Sequence, residues 1–170
     1  KKYILNIRIG GTDISSFFGV RRNISNSIYE ILPVNNVISD ILNVFARADS
    51  GYIISGTVWE YFIANSKKNI KDYIKKNNKF SLTGRNTIIN NAIDGLIREI
   101  FFDKVNGIVG KTAIHPSHIS FINALHAVTL EEFNDASQIL SIKGGVVKSA
   151  NLNKMNESNP HFNWAKIILY

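Results

Sequence analysis

Three short apolar segments, each closing on glycine or a polar turn and each followed by helical periodicity, set the narrowest limit on how this chain can fold. The first, Tyr3-Ile4-Leu5-Asn6-Ile7-Arg8-Ile9, is rich in β-branched residues and stops at Gly10-Gly11-Thr12-Asp13. The second, Tyr52–Ser55, follows a turn at Gly51 and ends at Gly56-Thr57; the third spans about Ile108 to Ile114 and ends at His115-Pro116. Runs of this kind predict strands buried on both faces. Between them, Pro33 and Asn35-Asn36 lead into a predicted helix over Val37–Ala48, with Ile38, Ile41, Leu42 and Phe45 on one face. A second helix is predicted over Thr87–Lys104 with Ile89, Ile93, Leu96, Ile97 and Ile100 at helical spacing, closed by Gly107. Thr129-Leu130-Glu131-Glu132 has the form of a capping box and opens a helix expected to turn Phe133, Ala136, Ile139 and Leu140 inward. Strand alternating with helix favours a parallel α/β architecture.

The remaining classes are narrowed by composition. With 45% hydrophobic and 19% charged residues, the 170-residue chain can bury a sizeable core. It has no cysteine, which excludes disulfides and thiolate metal sites. No apolar run approaches the roughly 18 residues needed to cross a bilayer, and the interrupted N-terminus lacks the order of a signal peptide. No membrane partner is therefore expected, and a cytoplasmic location is. The net charge of +7 gathers in Lys67, Lys68, Lys71, Lys75, Lys76 and Lys79 among asparagines. That reads as a solvated stretch rather than a nucleic-acid stripe, so no nucleic-acid partner is expected. The chain reads as one domain over 1–170, with strands and helices in 1–120, a C-terminal helix and tail in 121–170, and an insertion at Lys75–Asn78.

The candidate chemistry sits where strands end. Asp13, just beyond a glycine turn, reads either as an active-site carboxylate or as a helix N-cap. Gly11 and Thr12 either offer backbone N–H groups to a substrate carboxylate or simply make a tight turn. Arg21 and Arg22 are candidates for an anionic substrate tail. Glu60 reads as a polar active-site residue, an acid or base, or as the partner of a nearby cation. His115 reads as a proton carrier or as a loop anchor. His115, His118 and His126 are too loosely spaced for zinc, and Lys111 offers no basis for a Schiff base. Trp59, Tyr61 and Phe62 read as packing. Glu99 and Asp103 are like charges at i,i+4, unfavourable unless a cation joins them, which points to a structural network.

Four segments together resemble the citrate-lyase β-subunit-like branch of the HpcH/HpaI aldolase superfamily, and most of all the carbon–carbon lyase proteins encoded beside tellurium-resistance functions. They are Ile7–Arg22 (IRIGGTDISSFFGVRR), Ile54–Phe62 (ISGTVWEYF), Asp94–Ile119, which contains GKTAIHP, and Gly144–Ala165, which contains NKMNE. The resemblance implies the C-terminal part of a TIM (β/α)8 barrel, about three β/α units with a C-terminal helical tail. Tyr3–Ile9, Tyr52–Ser55 and Ile108–Ile114 would then be strands six to eight. Three units fall short of an eight-stranded barrel of about 250 residues, so the chain is expected to be incomplete. It further implies a Mg²⁺-dependent lyase that cleaves or forms a bond beside the carbonyl of a 2-oxo acid through a metal-stabilised enolate. Asp13 would bind the metal, Gly11, Thr12 and Arg21 the substrate, and Glu60 and His115 would act in catalysis. The expected partners are an oxo-acid or thioester substrate and further copies of the chain; no separate coenzyme A motif is present. The rival expectation is a non-catalytic remnant or partner chain that binds the missing barrel half.

Overall fold

The computed structural model describes residues 2–62 and 91–170. The insertion expected at Lys75–Asn78, the lysine-rich stretch around it and the start of the helix expected from Thr87 lie outside the described residues. The chain divides into two compact units, Lys1–His126 and Ala127–Tyr170.

The first unit is built on three parallel strands, β1 (Ile7–Arg8), β2 (Ile54–Gly56) and β3 (Gly110–Lys111), in the order β1-β2-β3. Ile7 pairs with Ile54 and Arg8 with Ser55; Ser55 pairs with Gly110 and Gly56 with Lys111. The strands are shorter than their apolar runs. Tyr3 and Leu5 are 91% and 88% exposed, so the run before Ile7 does not enter the sheet core. The expectation of strands covered on both faces is likewise corrected. Ile9 and Ile54 are buried, with Ile7 packed against their cluster, whereas the alternating Asn6 and Arg8 are exposed. A period of two puts those sets on opposite faces, and the described residues cover only one.

Helices α1 (Gly11–Phe17), α2 (Leu32–Phe45), α3 (Asn91–Val105) and α4 (Pro116–His126) belong to this unit, with a 3₁₀ turn at Ile28–Glu30. Helix α2 starts at Leu32, earlier than the apolar periodicity indicates, because Pro33 occupies its first turn, where a missing N–H costs nothing. Its Val34 and Ile38 join Ile9, Ile28, Tyr29, Ile54 and Ile108 in one core; Ile41, Leu42 and Phe45 pack partly buried against it. Helix α3 ends as expected at Gly107, which has φ +76°. The Ile108 N–H reaches Asp103 O at 3.0 Å and the Gly107 N–H reaches Lys104 O at 3.2 Å, the two bonds of a Schellman close. Helix α4 is not expected from the sequence, whose third strand ends at His115-Pro116 with no element before Thr129. It packs Phe121 and Ile122 with Trp59, Leu96, Ile97 and Ile100 in a second core.

The second unit holds α5 (Leu130–Ser141), the antiparallel pair β4 (Val146–Lys148) and β5 (Met155–Glu157), and α6 (Ser158–Leu169). The capping box is formed: Thr129 Oγ1 accepts from the Glu132 N–H at 3.1 Å, and Glu132 accepts from the Thr129 N–H at 2.8 Å. Ala136 and Ile139 are buried against Ala165, while Phe133 stays 50% exposed, contrary to expectation. The NKMNE segment works as a clasp. Lys154 Nζ lies 2.7 Å from both Glu131 and Asp135, and Asn156 Nδ2 donates to Asp135 and Gln138 at 2.9 and 2.7 Å.

One glycine allows a direct test of the second core. A Cβ at Gly95, inside α3, would lie 2.2 Å from carbons of the buried Trp59 ring. Alanine is normally the better helix residue by about 0.8–1.0 kcal/mol. Gly95→Ala is nevertheless expected to cost about 1–3 kcal/mol through overpacking, read from urea unfolding midpoints; a midpoint equal to or above wild type would contradict the Trp59 packing.

Candidate functional site

Because the strands are parallel, the residues following β1, β2 and β3 leave the sheet along one edge. Asp13, Glu60 and His115 all lie past those C-terminal ends.

The N-cap of α1 is Gly10, not Asp13, which falls in the first helical turn. Asp13 is exposed and folds back over the strand end: its Oδ2 lies 2.6 Å from where a Cβ on residue 10 would stand. A side chain at residue 10 would push this exposed carboxylate aside. Gly11 has a similar steric role. A Cβ there would meet Thr57 Cγ2 at 2.6 Å, so its absence lets the first turn of α1 lie against the residue after β2. Thr12 is exposed beside it.

Glu60 is held by two arginines. Arg22 Nε lies 3.1 Å from Glu60 Oε2, and Arg21 Nη2 lies 3.7 Å from Oε1. The arginines differ in kind. The Arg21 side chain is 79% exposed and that of Arg22 1%. Arg22 also bonds Glu99 Oε1 and the Val58 carbonyl, each at 2.5 Å, and its guanidinium lies 4.7 Å from the Trp59 ring centre. Arg22 is therefore committed to the fold, and the expectation that it meets a substrate tail is corrected; Arg21 stays at the surface.

His115 stands at the entrance of α4. Its Nδ1 accepts from the Ser117 N–H at 3.2 Å and lies 2.8 Å from Ser117 Oγ, and its ring stacks on Phe62 at 4.2 Å with planes 4° apart. His118, buried beneath, has Nε2 3.1 Å from the Tyr61 carbonyl. A carbonyl only accepts, so Nε2 carries the proton and Nδ1, which has no partner, presents a bare lone pair. Burial, more than any other influence, holds this imidazole below its ordinary pKa.

Below the edge lies a charged network that the sequence only hinted at. Glu99 and Asp103, both fully buried on α3, are bridged by Lys111 Nζ from β3 at 3.0 and 2.9 Å. Glu99 Oε1 also accepts from Ser27 Oγ and the Ile28 N–H at 2.9 Å each, and the Tyr29 hydroxyl donates to Asp103. Lys111 thus points into the helix layer. The unfavourable i,i+4 pair was the available signal; which cations would answer it was not written in the spacing. Burial pushes the Glu99 carboxyl up, but Lys111, Arg22 and the Ile28 N–H outweigh it and leave it below the ordinary range. For Asp103, burial wins over Lys111 and Tyr29, and the carboxyl sits above its ordinary value. Burial and the neighbouring Asp103 likewise raise the Tyr29 phenol.

A family model described as the C–C bond lyase of the TIM-barrel fold matches residues 1–170. The chain belongs to this family. Comparison with curated proteins gave no match. Membership agrees with the mixed α/β architecture. Among the described residues no group of three or more His, Cys, Asp or Glu is placed to hold a metal ion, and no helix is long and apolar enough to cross a membrane. A hard ion such as Mg²⁺ needs only one or two carboxylates and keeps several waters. Asp13, exposed at a strand end with none of the described residues bonded to its carboxylate, fits that demand as one ligand.

Two outcomes are expected of the network. Lys111→Met leaves Glu99 and Asp103 buried together, so unfolding free energy should fall by about 3–5 kcal/mol in urea titrations; a loss near zero would mean the bridge is not formed. The second concerns pH. Glu99 is depressed, so its contribution is full above the ordinary glutamate value near 4.3 and is lost as pH falls through the folded value. Asp103 is raised and acts oppositely, its contribution full below the ordinary aspartate value and lost as pH rises. Acidification below about pH 4 should therefore destabilise wild type more steeply than Glu99→Gln, by equilibrium unfolding across pH; parallel curves would contradict the pairing.

Proposed function

We propose that the protein is a Mg²⁺-dependent lyase that breaks or forms a carbon–carbon bond beside the carbonyl of a 2-oxo acid, in the manner of citrate-lyase β-subunit-like enzymes. The observation that carries this reading is the exposed Asp13 carboxylate, folded over Gly10 at the C-terminal end of a parallel strand. Bound there, Mg²⁺ would supply positive charge opposite the oxygen that gains electron density as the bond breaks.

The chain's own residues would do the rest. Gly11 and Thr12 lie in the first turn of α1, where backbone N–H groups lack intrahelical acceptors and suit a substrate carboxylate. Arg21 adds an exposed cation, and its loose contact with Glu60 leaves it able to turn toward an anion. Glu60, oriented by the buried Arg22, would hold or move a proton at its carboxylate oxygens. His115 has Nδ1 occupied by Ser117, so Nε2 is the nitrogen that would exchange a proton with substrate. The substrate is proposed to be an oxo acid or thioester in the cytoplasm.

A second reading is favoured by the sheet. Both β1 and β3 are edge strands among the described residues, and exposed edges invite pairing. On this reading the three strands are six to eight of a barrel completed by other strands, whether from the same polypeptide or from another copy. The chain alone would then bind that half without turnover.

Asp13→Asn tests the metal assignment. Mg²⁺ titration calorimetry should show binding in wild type and its loss in the variant, with unchanged circular dichroism. Equal Mg²⁺ affinity in the two proteins would refute the assignment.

A further inference from the structure

The uncovered face of the sheet carries a row that is unlike the inside of a packed barrel. Arg8, Ser55 and Gly110 are register partners across β1, β2 and β3. Alternation with the buried Ile9 and Ile54 turns Arg8 and Ser55 away from the helices. Barrel interiors are ordinarily filled by bulky branched side chains. Here two positions are small and the third is a cation. Among the described residues, a Cβ built on Gly110 would find only Ser55 Oγ within 4 Å, at 3.8 Å, and they leave the space over Gly110 open.

The polar groups on this face are matched in sign. Asn6 Nδ2 donates to Ser55 Oγ at 2.6 Å. With its oxygen accepting that bond, Ser55 keeps its hydroxyl proton to give to a further acceptor. Arg8 is exposed, and no carboxylate among the described residues pairs with it. Its guanidinium offers a planar fork of donors that suits a carboxylate bidentately. The row therefore presents donors and room, and Arg8 ends the strand that leads through Gly10 into the helix carrying Asp13.

We propose that Arg8 and Ser55, with the space left by Gly110, bind the carboxylate of the substrate from the sheet side, the N–H groups of Gly11 and Thr12 being its other donors. This inference rests on the lyase reading only for the identity of the anion as a 2-oxo acid. Arg8 is then the residue that distinguishes an acid from its ester, and Gly110 the one that admits it.

The test titrates pyruvate and its uncharged methyl ester into the protein by calorimetry, without Mg²⁺, and titrates Mg²⁺ separately. Arg8→Gln should weaken pyruvate binding roughly tenfold or more, the effect of losing a charged hydrogen-bond partner. The methyl ester should bind weakly and alike to wild type and variant. Gly110→Val, which fills the open space, should weaken pyruvate binding too, and urea midpoints check that each variant is folded. Pyruvate binding that is absent in wild type, or unchanged in Arg8→Gln, overturns the proposal. The metal reading is judged apart: Mg²⁺ binding lost in Asp13→Asn but pyruvate binding indifferent to Arg8 sinks this inference alone. Arg8-dependent pyruvate binding in a protein with no Mg²⁺ affinity supports this inference and sinks the metal assignment.

Discussion

Two carboxylates one helical turn apart, buried on the face of α3 that meets the sheet, are the constraint on which the first unit depends. Glu99 and Asp103 repel each other, and burial removes the water that would screen them. They can sit there only because Lys111 arrives from β3 and Arg22 from the segment after α1. Each ion pair therefore ties a different part of the chain to one helix. Buried ion pairs seldom add net stability over a hydrophobic core of the same shape. Their effect here is positional, because breaking one leaves an unpaired charge with nowhere to go.

That positional effect reaches the edge of the sheet. The guanidinium of Arg22 binds Glu99 on one side and Glu60 and the Val58 carbonyl on the other, so the segment after β2 is fixed by the same group that neutralises the helix. Gly11 lets α1 close against Thr57, which joins the segments after β1 and β2. Asp13 is then left outside this lattice of bonds, exposed and available, while Glu60 is inside it. The contrast separates a carboxylate that can meet a ligand from one whose direction is imposed by the protein.

The sheet shows why an apolar run is an incomplete guide to a strand. Tyr3-Ile4-Leu5 has the composition of a buried strand, yet Tyr3 and Leu5 are almost wholly exposed. Composition records what a segment could bury, and burial requires a neighbour. Asn6 and Arg8, which interrupt the run, carry the more useful information: their alternation with Ile7 and Ile9 marks one covered face and one open, polar face. Helix α4 is poorly marked in the sequence because its hydrophobic residues follow a His-Pro pair that commonly ends an element. Pro116 instead opens the helix as its first residue, with His115 bonding the N–H of Ser117.

By itself the sequence determined the local features: the alternation of strand and helix, the capping box at Thr129, the glycine close at Gly107, and the like-charged pair that demanded a cation. These depend on residues a few positions apart, whose geometry is set by the backbone. Only the tertiary structure decided which cations answer Glu99 and Asp103, that Arg22 is buried while Arg21 is not, and that Arg8 shares a row with Ser55 and Gly110. Lys111 lies 8 residues from Asp103, but Arg22 and Glu99, like Arg8, Ser55 and Gly110, are separated by dozens of residues, and nothing in local chemistry selects among several arginines and lysines until the packing of strand on helix brings one of them within reach.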